Sequence, residues 1–79
     1  MPDGSVQRIL VESMLCSHRF RETIEGVWVR GHRFGRRFVA RIDSGTGLID
    51  LTGRRETRKV PFDADVKDIE AELRAVLDA

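Results

Sequence analysis

No stretch of the chain approaches the roughly 18 consecutive apolar residues that a membrane-spanning helix requires. The opening Met1-Pro2-Asp3-Gly4 carries an acid where an export signal would carry basic residues, so no export signal is expected. Cys16 is the only cysteine and has no partner for an internal disulfide. Together these features predict a cytoplasmic, reducing location and no membrane partner. Other chemistry is missing too. There is no Cys-x-x-Cys spacing, and Cys16, His18 and His32 fall short of the four ligands of a structural zinc site. On a strand, Cys16 and His18 would share a face as nucleophile and base, but nothing nearby offers an oxyanion site. The plainer reading is a small buried thiol and a surface imidazole. No Walker loop occurs, and Gly45-Thr46-Gly47 leads into a strand pattern instead of a helix, unlike a dinucleotide fingerprint. No internal repeat or low-complexity tract is present. The expectation is a protein that is not an enzyme, with no catalytic residues, no metal and no cofactor.

What is present is a folded-protein composition, 41% hydrophobic and 34% charged, in 79 residues. That length predicts a single domain over 1–79. A domain of this size buries only about 60% of the surface its unfolded chain exposes, so its core is thin and a partner or second copy would help it. The net charge of +1 conceals a division along the chain. Residues 30–59 hold nine basic side chains against three acids, and eight of the nine are arginine. Residues 60–79 hold two basic side chains against six acids.

Periodicity predicts an α+β fold: an antiparallel sheet of three to five strands with a C-terminal amphipathic helix packed on one face. Val66, Ile69, Leu73, Val76 and Leu77 form one apolar stripe at helical spacing. Asp63 or Asp65 can cap that helix, Glu70 and Arg74 stand at i,i+4, and the helical acids are expected to face water. Residues 36–43 alternate, with Phe38, Ala40 and Ile42 on one face and Arg37, Val39, Arg41 and Asp43 on the other. The glycine-rich turn 43–47 leads to a partner strand over 48–52, and a short strand over 57–62 follows a second turn. Residues 23–30 read as one central strand, with Ile24, Gly26 and Trp28 on one face and Val27 and Val29 on the other. Residues 5–18 fit either a helix or a strand. The run Ile9-Leu10-Val11, followed by further sheet-like sequence, favours the strand.

The arginines carry the most functional information, because their forked guanidinium groups suit phosphate and carboxylate. If Phe38, Ala40 and Ile42 face the helix, Arg37 and Arg41 lie on the open face. Arg33 and Arg36 flank the loop at one end, which also holds Phe34. Arg54, Arg55 and Arg58 decorate the second turn, and Arg30 reaches the open face only from the end of its strand. These nine residues are the candidate binding site. Phe34 is a candidate exposed aromatic anchor or a ring folded over the sheet edge. Trp28 is expected in the core, with an exposed stacking ring as the alternative.

Gly26-Val27-Trp28-Val29-Arg30, then Gly35-Arg36-Arg37-Phe38-Val39-Ala40-Arg41-Ile42, a glycine turn and a closing amphipathic helix resemble the AP2/integrase-type DNA-binding domain over roughly residues 26–77. That resemblance implies a three-stranded sheet seated in the major groove, with Arg30, Arg37 and Arg41 touching DNA. In size and style the chain is also similar to phage-encoded inhibitors such as anti-CRISPR proteins. Two functions follow. The first is a protein-binding inhibitor or adaptor that occupies the surface of another protein or of a nucleic-acid-binding complex, either with its acidic helix (Asp63, Asp65, Asp68, Glu70 and Glu72) as a phosphate mimic or with its arginine patch against an acidic or polar surface. The second is nucleic-acid binding through an arginine-rich sheet face. The near-zero net charge places the first slightly ahead, since nucleic-acid domains are usually strongly basic. A homodimer through an exposed strand edge is compatible with either.

Overall fold

The computed structural model describes residues 4–31 and 37–78. Helix α1 spans Gly4–Ser17, and five strands follow: β1 Arg21–Ile24, β2 Val27–Gly31, β3 Arg37–Asp43, β4 Leu48–Thr52 and β5 Thr57–Pro61. Helix α2, Val66–Asp78, closes the chain. The strands form one antiparallel sheet in the order β1-β2-β3-β4-β5. This is the expected α+β architecture, at the upper end of the predicted strand number, with α2 against β4 and β5. Neither helix is long and apolar enough to cross a membrane.

Residues 4–17 form a helix where a strand was expected. Val11, Met14 and Leu15 are buried at helical spacing. Ile9 behind that stripe, and Val6 and Leu10 beside it, are apolar yet exposed, which blurs the helical period. The helix ends in a Schellman arrangement. Arg19 adopts φ 68°, its N–H donates to the Cys16 carbonyl at 2.9 Å, and the Phe20 N–H donates to the Leu15 carbonyl at 3.0 Å. This turn brings Phe20 beside Leu15 in the core, where both are buried. Gln7 fastens the other end: its Nε2 donates to the carbonyls of Phe62 at 2.9 Å and Ala64 at 2.7 Å.

The single strand expected over 23–30 is instead a hairpin, with Ile24 opposite Val27 and a turn at Glu25-Gly26. Gly26 takes φ +79°, and a Cβ there would lie 3.0 Å from the Ile42 carbonyl oxygen, so only glycine suits the position. Its N–H donates to Glu22 Oε2 at 3.1 Å, and its carbonyl accepts the Ile42 N–H at 2.7 Å. The hairpin is thereby tied to β3.

One sheet face forms the core floor. Trp28, Ala40 and Leu51 align across β2, β3 and β4, and Ile42, Ile49 and Val60 align across β3, β4 and β5. From above, α1 contributes Val11, Met14 and Leu15, and α2 contributes Ile69, Leu73 and Val76, to a single buried cluster. The α2 start is capped by Asp65, whose Oδ1 accepts the Lys67 N–H at 2.9 Å.

Candidate binding surface on the uncovered sheet face

Alternation on β3 buries Ala40 and packs Phe38 and Ile42 against the core, while Arg37 and Arg41 are exposed. The cross-strand register fixes their neighbours. One row runs Arg21, Val29, Val39, Thr52 and Thr57 across the five strands. The next runs Val27, Arg41, Asp50 and Lys59, with Ile24 beside Val27. Arg37 stands opposite Gly31 at one end. The centre of this face is aliphatic: Val27, Val29 and Val39 are half-buried, and Ile24 is 68% exposed. A shallow groove there is lined by Ile24, Val27, Val39 and Arg41, with Glu25 and Asp43 at its edge.

Electrostatically the face is mixed. Arg21, Arg37, Arg41 and Lys59 surround the valines, but Asp50 stands in register between Arg41 and Lys59. Asp43 lies on the same side. Arg21, Lys59 and the valines complete a surface that sequence reasoning had not assembled as a site. The signal for Val27 and Val29 was their alternation with Trp28. Arg21 became visible only once the hairpin set its register.

The other candidate residues are not gathered here. Arg30 pairs with Phe38 on the helix-bearing side, its guanidinium 6.0 Å from the ring centroid. The sheet therefore separates Arg30 from Arg37 and Arg41, the trio that the AP2/integrase resemblance implies would touch DNA together. Arg30 shares a small pocket with His18, Phe38, Arg74, Leu77 and Asp78. Arg58 also lies on the helix side, because it pairs with Leu51 in the register. Its Nη1 donates to Glu72 Oε2 at 2.6 Å, and its Nε is 3.3 Å from Glu56 Oε1. These two carboxylates, Glu72 foremost, hold the guanidinium pKa above its ordinary value. Arg54 and Arg55 are exposed in the β4–β5 turn. Arg33, Phe34 and Arg36 lie outside the described residues.

Two acids of α2 are engaged instead of being simply solvated. Besides Glu72 on Arg58, Glu70 Oε2 meets His18 Nε2 at 2.8 Å, linking the end of α1 to α2. That hydrogen bond lowers the Glu70 pKa, opposed by partial desolvation and assisted by the charge of Arg74. Glu70 thus takes His18 as its hydrogen-bond partner in place of the expected Arg74.

Cys16 is exposed, not buried as expected. Because it sits on a helix, it lies about 200° around the axis from residue 18, so the strand-based pairing of Cys16 with His18 does not arise. Among the described residues, no three His, Cys, Asp or Glu side chains converge on a metal-sized site. Trp28 is in the core, with its Nε1 buried and without a hydrogen-bond partner among the described residues.

No family model matches the chain, and comparison with curated proteins and with solved structures finds no match.

Proposed function

We propose that this chain is a non-catalytic binding protein that occupies the surface of a protein partner, as an inhibitor or adaptor, through its uncovered sheet face. The observation that carries this reading is the pattern of that face: an aliphatic centre of Val27, Val29, Val39 and Ile24 within a border of Arg21, Arg37, Arg41 and Lys59. Protein interfaces combine an apolar centre that excludes water with a polar rim, and arginine is enriched among their hot spots. A phosphate backbone would instead meet Asp43 and Asp50 among the cations and leave the valines unused.

Nucleic-acid binding remains the second reading, favoured by the exposure of Arg37 and Arg41 on an uncovered β-layer. One experiment separates the two. The tagged chain is used for affinity purification from source-cell extract with and without nuclease, alongside Val39→Asp and Arg37→Ala/Arg41→Ala. Direct titration with a mixed-sequence DNA duplex is run across a salt series. The protein reading expects a stoichiometric protein partner that survives nuclease and is lost with Val39→Asp. Nuclease-sensitive capture, with duplex affinity falling steeply as salt rises, would replace it with the nucleic-acid reading.

A further inference from the structure

Resting on the protein-binding reading of the uncovered sheet face, we infer that the partner docks an acidic amphipathic helix there, gripped by Arg21 and Arg37 over Val29 and Val39. Charge on this face is divided between its two ends. Asp50 stands in register between Arg41 and Lys59, and Asp43 is two residues beyond Arg41 on the same side. Glu25 lies at that end too, in the β1–β2 turn. Cations and acids there are balanced within the molecule. The other end holds Arg21, opposite Val29, and Arg37, opposite Gly31. Both arginines are exposed, and neither forms an ion pair among the described residues. Glu22, the chain neighbour of Arg21, pairs with Trp28, and its carboxylate accepts the Gly26 N–H. With strands about 4.8 Å apart and residues about 3.4 Å apart along them, the register sets Asp50 roughly 14–16 Å from Arg37 and Arg21. That exceeds the screening length of about 8–10 Å at ordinary ionic strength. Among the described residues of this face, the two guanidinium groups therefore have no carboxylate of their own.

The two cations bracket a small apolar floor. Val29 and Val39 are half-buried cross-strand neighbours in the row of Arg21, and the exposed Gly31 beside them adds no side chain. The same spacings put the Cα atoms of Arg21 and Arg37 roughly 12 Å apart, diagonally across three strands. An element that covers the face of a sheet is a helix or a second sheet. This floor is the width of one helix and too small for a sheet. On a helix, positions i, i+3, i+4 and i+7 share one side. Positions i and i+7 are about 10.5 Å apart, at 1.5 Å per residue. A Glu-x-x-Leu-Leu-x-x-Glu segment thus aims one carboxylate at each arginine, while its leucines settle between them on Val29, Val39 and the flat strip at Gly31. The pattern reads the same in both directions, so either helix polarity satisfies it.

A single helix on this floor buries less than the roughly 1,200 Å² of a small stable interface. Apolar contact alone therefore holds it weakly, and the charges decide which helix is accepted. A forked arginine–carboxylate contact is stronger than a neutral hydrogen bond and fixes orientation. A helix with lysines in place of the glutamates meets repulsion at both ends, and like charges across an interface suppress a wrong partner.

The test titrates the nitrogen-15-labelled full chain with a stapled helical peptide carrying Glu-x-x-Leu-Leu-x-x-Glu, to about millimolar concentration. Peptides with glutamine or lysine in place of both glutamates run alongside. Amide shifts are expected to centre on Val29, Gly31 and Val39, with the glutamate peptide binding at least about tenfold more tightly than either control. Arg21→Glu/Arg37→Glu should lose that preference and take the lysine peptide instead. Arg41→Glu/Lys59→Glu makes the same change in net charge at the balanced end and should weaken the glutamate peptide by less than about threefold. Unchanged thermal midpoints show that both variants are folded. No shift at millimolar peptide, equal binding of the three peptides, shifts centred on Arg41 and Lys59, or equal loss in the two double variants would each overturn the inference. The affinity purification described above separates this from the parent reading. A partner lost with Val39→Asp but kept with Arg21→Glu/Arg37→Glu would overturn the helix inference and leave the sheet face as the binding surface. A partner kept through both would overturn the two together.

Discussion

Replacing Gly53 by alanine should destabilise the fold through one identifiable collision. Gly53 follows β4, and a Cβ built on it would lie 2.5 Å from Val76 Cγ1 and 3.0 Å from the Val76 carbonyl oxygen. Its backbone does not occupy the left-handed region, so the substitution carries no dihedral penalty and the effect is steric alone. Val76 is 1% exposed on α2 and has one strongly preferred rotamer in a helix, so its methyl cannot swing aside. The carbonyl behind it belongs to the helix backbone and can retreat only if α2 shifts. Overpacking of this kind costs about 1–3 kcal/mol. With a urea slope of about 1 kcal/mol/M, the unfolding midpoint should fall by roughly 1–3 M. Val76→Ala is itself destabilising, since it removes buried methyls. In the Gly53→Ala background, however, it also relieves the contact, so the double variant should be more stable than the sum of the two losses by more than about 0.5 kcal/mol. Wild-type stability in Gly53→Ala, or strict additivity in the cycle, would show that β4 and α2 do not meet as described.

Gly26→Ala should lose more than about 1 kcal/mol in the same urea assay, because φ +79° disfavours a side chain and the Ile42 carbonyl stands 3.0 Å from the new methyl. The His18–Glu70 hydrogen bond lowers the Glu70 pKa, so its contribution is present above the ordinary carboxylate range and disappears as pH falls through the lowered value. His18→Ala should therefore flatten the acid limb of a thermal-midpoint profile, and an unchanged acid limb would contradict that coupling. Arg37→Ala/Arg41→Ala should leave stability within about 0.5 kcal/mol of wild type, since both side chains are exposed and neither forms an ion pair among the described residues. A larger loss by thermal unfolding would mean that these arginines support the fold.

The elements most legible in the sequence were those with one wet and one dry face. α2 announced itself because Ile69, Leu73 and Val76 repeat against a charged background, and β3 because Arg37, Val39 and Arg41 alternate with Phe38, Ala40 and Ile42. α1 was obscured because Val6, Ile9 and Leu10 are apolar where a solvated helix would be polar. The β1–β2 hairpin was obscured because Glu25-Gly26 lacks the Asn or Asp that usually accompanies glycine in such turns. The candidate surface was partly readable for the same reasons. Alternation within β3 placed Arg37 and Arg41 together, but only the cross-strand register reveals that Arg30 and Arg58 fall on the other side.

The strictly sequential strand order has a consequence for assembly. Every strand pairs with its chain neighbour, so the sheet can build from adjacent hairpins with little loop-closure entropy. Seating α1 is different, because Gln7 must find the carbonyls of Phe62 and Ala64, 55 and 57 positions away. Such distant contacts come late and slow a folding reaction. The first helix of the chain is thus expected to dock last and to leave first. Amide hydrogen exchange should record this as early loss of protection along α1 while Ile49 and Leu51, in the middle of the meander, hold to the end.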